Sequence, residues 1–292
     1  MTRVSVDTST QTVTVQGGAT WADVARETAK YQLVVNGGTT SQVGVGGLTL
    51  RGGFGFLTPQ HGVTLDTLLA AKVVTGEGIE LQVSTEEHSD LFWAIRGAGP
   101  NVAVVAEFKF RAYPQPNLVW SGLRIHASSE VLKVVEALNE ALVHPQGRAA
   151  AQCILSLSPD DEKTPTVYLA KTDLEIDYLD PTQICRTPIT ETAFPARVNL
   201  LHATLMLQWT DAAKDEDFLA WGQSIQKLCE NELTNQGHKL AHYVSNYNGY
   251  TQEMEVAAAD MFGVNANRLL HIKAKYDPAN LFNKLNPLDR EL

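Results

Sequence analysis

The sequence predicts an α+β protein, because strand patterns and helix patterns both occur along its length. Residues 3–7 and 11–15 alternate apolar and polar side chains with period two, which predicts a β-hairpin. Thr20 and Asp23 have the spacing of a capping box, which predicts a helix that begins at Trp21. Together these patterns indicate strands covered by amphipathic helices.

Four further elements are predicted before the first proline-rich segment. A short helix is expected over residues 90–96, because Ser89 can cap it and Gly97 can end it. Strands are expected at residues 68–75, 79–83 and 101–111.

The motif Tyr113-Pro-Gln-Pro116 is the clearest boundary in the chain, because prolines deny helix continuation and strand hydrogen bonds. We therefore predict that a second α+β unit begins at this boundary. The elements predicted after the boundary are helices at 130–143, 215–233 and 266–275 and strands at 150–157, 166–170, 200–209 and 238–247.

Composition excludes several functions for this chain of 292 residues. A formal net charge of −10 argues against a nucleic acid partner. The three cysteines have no metal-ligand spacing and are expected to be buried, and the eight histidines suggest no metal site either. No apolar run is long enough to cross a membrane and no signal peptide is evident, so a cytoplasmic protein is expected.

Six glycines are concentrated in residues 43–56, among apolar side chains from Val43 to Phe56 that predict a buried, extended segment. Such bare backbone suits a large flat ligand whose polar edge needs N–H groups. A glycine-rich turn in a small barrel is the alternative. The dinucleotide pattern G-x-G-x-x-G is not met, because Thr49 stands where its last glycine is required.

Several short motifs occur in a fixed order along the chain. They are Gly17-Gly-Ala-Thr-Trp21, the glycines from Gly38 to Gly55, His61-Gly62, Asp66-Thr-Leu68, Asp90-Leu-Phe-Trp-Ala-Ile-Arg-Gly97 and Tyr276-Asp-Pro-Ala-Asn-Leu-Phe282. In this order they resemble the berberine bridge enzyme-like flavin oxidoreductases of the vanillyl-alcohol-oxidase superfamily, over about residues 3–113 and 242–286. The resemblance implies a PCMH-type FAD-binding domain made of residues 1–115 and 243–292, with an inserted α+β substrate lobe over residues 116–242.

The resemblance also implies the site residues. Tyr247 resembles a tyrosine that serves as general base in some members, although an aromatic residue on a half-buried strand is an equally good explanation. A phenol with a reference pKa near 10 would need its anion stabilised for this role. The implied FAD contacts are Gly38, Thr39, Thr40, Val43, Gly44, Gly46, Gly47, Gly52, Gly53, Gly55, His61, Gly62, Asp66, Val104, Asn246, Asn280 and Phe282.

Three features depart from the family pattern. The chain starts at the hairpin, without the glycine-rich pyrophosphate loop that precedes it in the family, so we expect either a shortened sequence or a natural short form. Thr40 stands where some members have a flavin-linking cysteine, so any FAD is expected to be bound non-covalently. Val102 and Ala103 replace the usual Phe and Gly, and the extra Cβ of Ala103 could crowd a flavin.

The expected function is that of an FAD-dependent oxidoreductase acting on a small organic substrate, such as a secondary metabolite. A hydride would pass to the flavin, a base would take a proton, and dioxygen would reoxidise the flavin. The alternative is a non-redox descendant of the same scaffold, a cyclase, isomerase or ligand-binding protein, that has lost tight FAD binding.

Overall fold

The main sheet has five antiparallel strands. The computed structural model describes residues 1–116, 130–142, 150–156, 170–197, 202–209, 213, 215–235, 261–284 and 287–288. The strands of this sheet are β1 (Val4–Asp7), β2 (Thr12–Gln16), β4 (Leu68–Val74), β5 (Glu80–Ser84) and β6 (Val104–Arg111). Their order across the sheet is β1-β2-β6-β4-β5.

The predicted hairpin is confirmed by its strand register, and the strands predicted at residues 68–75 and 79–83 are present and pair with each other. In the centre of the sheet, Val13 pairs with Phe110 and Val15 with Phe108, and all four side chains are fully buried. Lys109 lies on the opposite face and is exposed. The alternation read from the sequence therefore separates the core face from the solvent face.

Helix α1 (Trp21–Ala29) begins at the predicted capping box. The Asp23 carboxylate accepts the Thr20 N–H at 3.0 Å, and the Thr20 hydroxyl oxygen accepts the Asp23 N–H at 3.4 Å. Trp21 and Val24 are buried, so the apolar side of the helix joins the core. The capping box satisfies the N–H groups of Thr20 and Asp23, and those of Trp21 and Ala22 donate to carbonyls outside the helix.

Helix α4 (Ser89–Ala98) differs from the prediction at its start. Ser89 is its first residue and not its cap, because His88 takes the preceding position in a left-handed conformation with φ 47°. Gly97, at φ 128°, interrupts the helical backbone near the predicted end. Phe92, Trp93 and the neighbouring apolar side chains are buried against the sheet.

The glycine-rich segment is not extended, contrary to the prediction. It contains the short helix α2 (Val45–Thr49), and a second short helix, α3 (Thr58–His61), follows it. Tertiary contacts override the strand pattern here, since Val45 N–H donates to the Ala19 carbonyl at 2.9 Å and begins a helical turn. Burial is as expected for Val45, Leu48, Leu50 and Phe54, but Phe56 is 50% exposed.

The proline motif lies next to a small two-stranded sheet. Its strands are β3 (Leu33–Val34) and β7 (Tyr113–Pro114), and Gln115 N–H then donates to the Gln32 carbonyl at 2.8 Å. The chain thus stays attached to the first unit up to the predicted boundary. Among the described residues beyond it are α5 (Val131–Leu142), β8 (Ala151–Ser156), β9 (Ala170–Tyr178), α6 (Thr182–Arg186), β10 (His202–Trp209) and α7 (Asp215–Asn235).

Strands β8, β9 and β10 form a second antiparallel sheet in the order β10-β9-β8. Of the strand predicted at 166–170 only Ala170 is described, and the strand predicted at 238–247 lies outside the described residues. Cys185 is exposed, contrary to the expectation that the cysteines are buried.

The 189–197 segment, which follows α6, packs against the glycine-rich part of the first unit. Phe194 is fully buried in a cluster with Phe54, Val63 and Leu65. The proposed division into units over 1–115 with 243–292 and over 116–242 remains a prediction. The packing shows that this part of the middle region shares a core with the first unit.

Helix α8 (Ala266–Tyr276) ends where the Tyr276-Asp-Pro278 motif predicts. Its side chain Lys273, 2% exposed, pairs with the fully buried Asp277 and also donates to the Phe282 carbonyl at 2.8 Å. Burial alone would raise the pKa of Asp277. Hydrogen bonds from Lys273 and from the backbone N–H groups of Phe282 and Leu281 outweigh burial and hold that pKa below its usual value.

Asp277→Asn should lower the free energy of unfolding by about 3–5 kcal/mol, because it leaves the buried Lys273 charge uncompensated. Urea titration measures this loss. The matched control is Lys275→Met, which removes a largely exposed pair with Asp90 and should change stability little. Equal stability losses in the two variants would contradict this account.

The same pair gives a pH dependence with a defined sign. Because the folded pKa of Asp277 is depressed, its contribution to stability is present above the unfolded pKa of about 3.9 and is lost as the pH falls through the folded value. Asp277→Asn should therefore reduce the loss of stability of the protein at acidic pH.

Candidate functional site

The glycines predicted to contact FAD, here called the glycine wall, fall into three groups. A Cβ added at Gly44 or at Gly47 would meet no atom within 4 Å. Gly44 has φ −69°, and Gly47 is not among the residues with positive φ. Backbone conformation therefore does not require glycine at these two positions, and the bare face of each looks onto open space.

Four other glycines of the wall are required by packing inside the protein. The face where a Cβ would sit is already occupied, and three of the four have positive φ. The ligand argument made from the sequence therefore does not apply to that face. The nearest atoms to an added Cβ are Phe194 Cε2 at 2.7 Å for Gly52, Thr64 Oγ1 at 2.4 Å for Gly53, the Gly37 carbonyl oxygen for Gly55 and Asp66 Oδ2 at 2.4 Å for Gly62.

Gly38 and Gly46 are intermediate. A Cβ at Gly38 would lie 2.6 Å from Leu48 Cδ1, the end of a flexible side chain, and one at Gly46 would lie 3.3 Å from the Gly17 carbonyl oxygen. Gly46 is thus pressed against backbone, while Gly38 is covered by a side chain that can move.

We define the open strip as residues 39–47. Thr40, Gly44 and Gly47 are exposed in it, whereas Thr39 and Val43 are half-buried. No residue of the strip carries a charged side chain.

The backbone of the open strip is fixed to the start of α1. The Ser41 carbonyl accepts the Ala22 N–H at 2.9 Å, and the Val43 carbonyl accepts the Trp21 N–H at 3.1 Å. The strip is therefore held in place although its surface is exposed.

The N–H groups of Gly44, Gly46 and Gly47 have no acceptor among the described residues. Gly46 and Gly47 lie in the first turn of α2, where an N–H has no partner within the helix. The strip therefore offers hydrogen-bond donors beside uncovered backbone. This chemistry fits the polar edge of a planar, uncharged ring such as isoalloxazine, and the strip itself supplies no cation.

Val104, the first residue of β6, is 54% exposed. Gly17 N–H donates to the Ala106 carbonyl at 2.8 Å, and Gly46 packs on Gly17, so the strip meets the first half of β6. Ala103 is only 3% exposed, so its methyl group is largely covered by protein and the predicted crowding is reduced.

His61 stacks face to face on Tyr113, with ring centroids 3.6 Å apart and planes 9° apart. Burial lowers the pKa of His61, so its imidazole is neutral at pH 7. Burial also raises the pKa of Tyr113, and the charge of Asp66 adds to this against the opposing charge of Arg111. The pair is thus uncharged and close to the turn that Gly62 makes.

Asp66 binds Arg197, a residue that the sequence reasoning did not single out. Arg197 Nη1 and Nη2 each donate to one carboxylate oxygen of Asp66 at 2.7 Å. No sequence signal could have found a partner 131 positions away. The carboxylate predicted to touch a cofactor is therefore used for an internal ion pair.

Asn280 and Phe282 lie near the turn that contains Gly76, which follows β4. Gly76 N–H donates to the Tyr276 carbonyl at 3.0 Å, and Phe282 N–H donates to Asp277 Oδ2 at 2.9 Å. Because Val74 pairs with Val104, this turn is at the same end of the sheet as Val104. Asn280 Oδ1 has no hydrogen-bond partner within the described part of the chain. Asn246 and Tyr247 lie outside the described residues.

Two protein families match the sequence. Residues 1–84 match the family described as FAD binding domain, and residues 245–287 match the family described as berberine and berberine like. Together the matches fall on the parts of the chain where the motifs were found.

Curated relatives include an FAD-linked oxidoreductase, pgmH, of Aspergillus terreus, 47% identical over 42% of this chain and 25% of its own length. The (R)-6-hydroxynicotine oxidase of Paenarthrobacter nicotinovorans is 37% identical over 49% of this chain and 33% of its own length. The matches thus span between a quarter and a third of these two relatives.

Solved structures share the fold. That of 6-hydroxy-D-nicotine oxidase from Arthrobacter nicotinovorans has a TM-score of 0.74 at 22% identity, covering 99% of this chain and 81% of the other. A chitooligosaccharide oxidase has a TM-score of 0.71 at 21% identity, covering 100% and 81%. At these identities the likeness shows the fold alone.

The fold is thus the α+β fold of the PCMH-type FAD-binding oxidases, as predicted. The two matched segments correspond to an FAD binding domain model and a berberine-like model, and the curated relatives that match the chain are FAD-linked oxidoreductases and oxidases. Within the described residues, no helix has the length and apolar character needed to span a bilayer.

Gly53→Ala and Gly47→Ala should change stability in opposite directions. Gly53 has φ 87° and faces Thr64, so alanine there should cost about 2–4 kcal/mol through strain and overpacking. Gly47 lies in a helix and faces open space, so alanine should add up to about 1 kcal/mol. Urea titration of both variants measures the difference, and a large loss in Gly47→Ala would disprove the open face.

His61 should make stability fall as the pH falls from 7 through the unfolded pKa of about 6.5, because the unfolded chain takes the proton first. His61→Phe keeps a ring stacked on Tyr113 and should flatten this part of the curve. Thermal unfolding midpoints between pH 5 and 8 measure the effect. His88→Asn, which removes an exposed imidazole outside the stacked pair at a left-handed position that asparagine tolerates, is the control. Identical curves for wild type and His61→Phe would contradict the account.

Proposed function

We propose that this chain forms part or all of an FAD-dependent oxidoreductase that acts on a small organic molecule. The observation that carries the proposal is the open strip, where uncovered glycines and free N–H groups lie within the part of the chain that matches the FAD binding domain. Relatives act, by name, on 6-hydroxynicotine or on oligosaccharides, which supports a small-molecule substrate.

The strip would hold the cofactor through its main chain. Gly44, Gly46 and Gly47 would donate N–H groups, and Val104 would supply an apolar contact at the edge. Thr40 offers a hydroxyl group and no thiol, so we propose that FAD is bound without a covalent link at this residue. Protein fills the faces of Gly52, Gly53, Gly55 and Gly62, so these glycines would support the strip from behind.

When bound, FAD would supply the redox chemistry by accepting a hydride from the substrate. The chain would orient the substrate and exclude water, and the middle unit, residues 116–242, is proposed as the substrate lobe. Tyr247 is proposed as the general base, with Asn246 beside it near the flavin. Several relatives are named oxidases, which supports dioxygen as the electron acceptor.

Adding FAD to the purified protein should quench flavin fluorescence and give a bound flavin that denaturation releases. Gly47→Leu should weaken FAD binding at least about tenfold, because its side chain would project into the space that the ring needs and hide nearby N–H groups. Fluorescence titration measures both dissociation constants.

The matched control is Gly78→Asn, because Gly78 is also uncovered and asparagine tolerates its φ of 78°. This variant should bind FAD like the wild type. If wild-type protein neither contains nor takes up FAD, the proposed function is wrong, and the non-redox alternative stands. If Gly47→Leu binds FAD as well as Gly78→Asn does, the strip is not the site.

A further inference from the structure

The 189–197 segment is held by two helical regions before it reaches Asp66. On one side, Trp93 Nε1 on α4 donates to the Thr190 carbonyl at 2.9 Å. On the other, Asn265 Nδ2, just before α8, donates to the Thr192 carbonyl at 3.1 Å. The position of the segment is therefore fixed relative to both α4 and α8.

Arg197 connects the 189–197 segment to Asp66, close to the glycine-rich part of the chain. Its side chain is 1% exposed and that of Asp66 is 13% exposed. The two parallel hydrogen bonds of 2.7 Å are joined by a third, from Arg197 Nη2 to Thr192 Oγ1 at 3.0 Å. A planar, two-pronged contact of this kind fixes both the distance and the orientation of the carboxylate.

Asp66 in turn shapes the backbone at Gly62. Asp66 Oδ2 accepts the Val63 N–H at 3.0 Å and lies 2.4 Å from where a Cβ of Gly62 would be. The Gly62 carbonyl accepts Asn36 Nδ2 at 2.8 Å, and Asn36 is fully buried. Asn36 leads directly through Gly37 and Gly38 into the open strip.

We propose that Arg197 is a positioning residue for the open strip. By clamping Asp66 it holds the turn at Gly62, and through Asn36 it sets the backbone that presents Gly44 and Gly47. The inference rests on the proposed function for the nature of the ligand, whereas the link between Arg197 and the strip concerns this chain alone.

Hydrogen–deuterium exchange on the flavin-free protein tests this link without any activity assay. In Arg197→Gln, amides of residues 36–47 should exchange about tenfold faster than in the wild type, an effect within the range reported for coupling through packed networks. The control is Leu269→Ala, which removes a fully buried side chain from α8 and weakens the fold generally. Exchange is measured for each protein at a temperature the same number of degrees below its own thermal unfolding midpoint.

Exchange in residues 36–47 that is no faster in Arg197→Gln than in Leu269→Ala would overturn the inference. If Arg197→Gln does not fold, Arg197→Lys takes its place. It keeps the positive charge but loses the planar guanidinium that makes two parallel hydrogen bonds, and it should raise the exchange rates of residues 36–47 by a smaller factor. The double variant Asp66→Asn/Arg197→Gln should exchange little faster than either single variant, because both remove the same contact. Additive increases would also overturn the inference.

Flavin titration separates this inference from the proposed function. Arg197→Gln should weaken FAD binding more than Leu269→Ala does, and it should change the near-ultraviolet and visible circular dichroism of the flavin that remains bound. Identical affinity and dichroism in the two variants would count against a positioning role. A wild-type protein that binds no flavin would refute the proposed function, and the exchange data would still decide the link.

Discussion

Close contact between the backbone of residues 36–38 and that of residues 52–62 is the constraint on which the rest of this structure depends. The Gly37 carbonyl occupies the place where Gly55 would carry a Cβ, so any side chain at Gly55 would push the two segments apart. Only with this packing can Asn36 reach the Gly62 carbonyl, and only then is the open strip supported. The glycines of one short region thus serve two purposes. Some of them allow another segment of the chain to pack directly against their backbone, whereas Gly44 and Gly47 leave their backbone uncovered.

A second consequence concerns how the middle of the chain is joined to the first unit. Phe194 packs where side chains are missing at Gly52 and Gly97, and both glycines have a positive φ that disfavours other residues. The ring of Phe194 fits against Gly52, and the backbone N and Cα atoms of the same residue fit against Gly97. In the proposed enzyme, a substrate held by the middle unit and a ring held by the strip would both be located relative to this shared core.

Local features of the fold could be predicted from the sequence, and contacts between distant residues could not. The hairpin, the capping box at Thr20 and the end of α8 each depend on neighbours within a few residues, so their patterns are visible in the chain. Helix α2 was missed because its start depends on the distant Ala19 carbonyl, which no local pattern reveals. Arg197 was missed for the same reason, and the exposure of Cys185 also depends on packing that composition does not report. The glycine pattern did predict a bare surface, but it could not separate the glycines covered by protein from the uncovered ones.

The contact between Asp277 and the Gly76 turn has a consequence for the order of events during synthesis. Asp277 lies against Gly76, and Lys273 and Phe282 complete the same buried arrangement. The β4–β5 hairpin leaves the ribosome long before these residues do, so its end remains uncovered while some two hundred further residues are translated. This core is therefore completed only after α8 has been translated, because Leu269 and Ile272 of that helix pack in the same hydrophobic cluster as Val73 and Val83 of the hairpin.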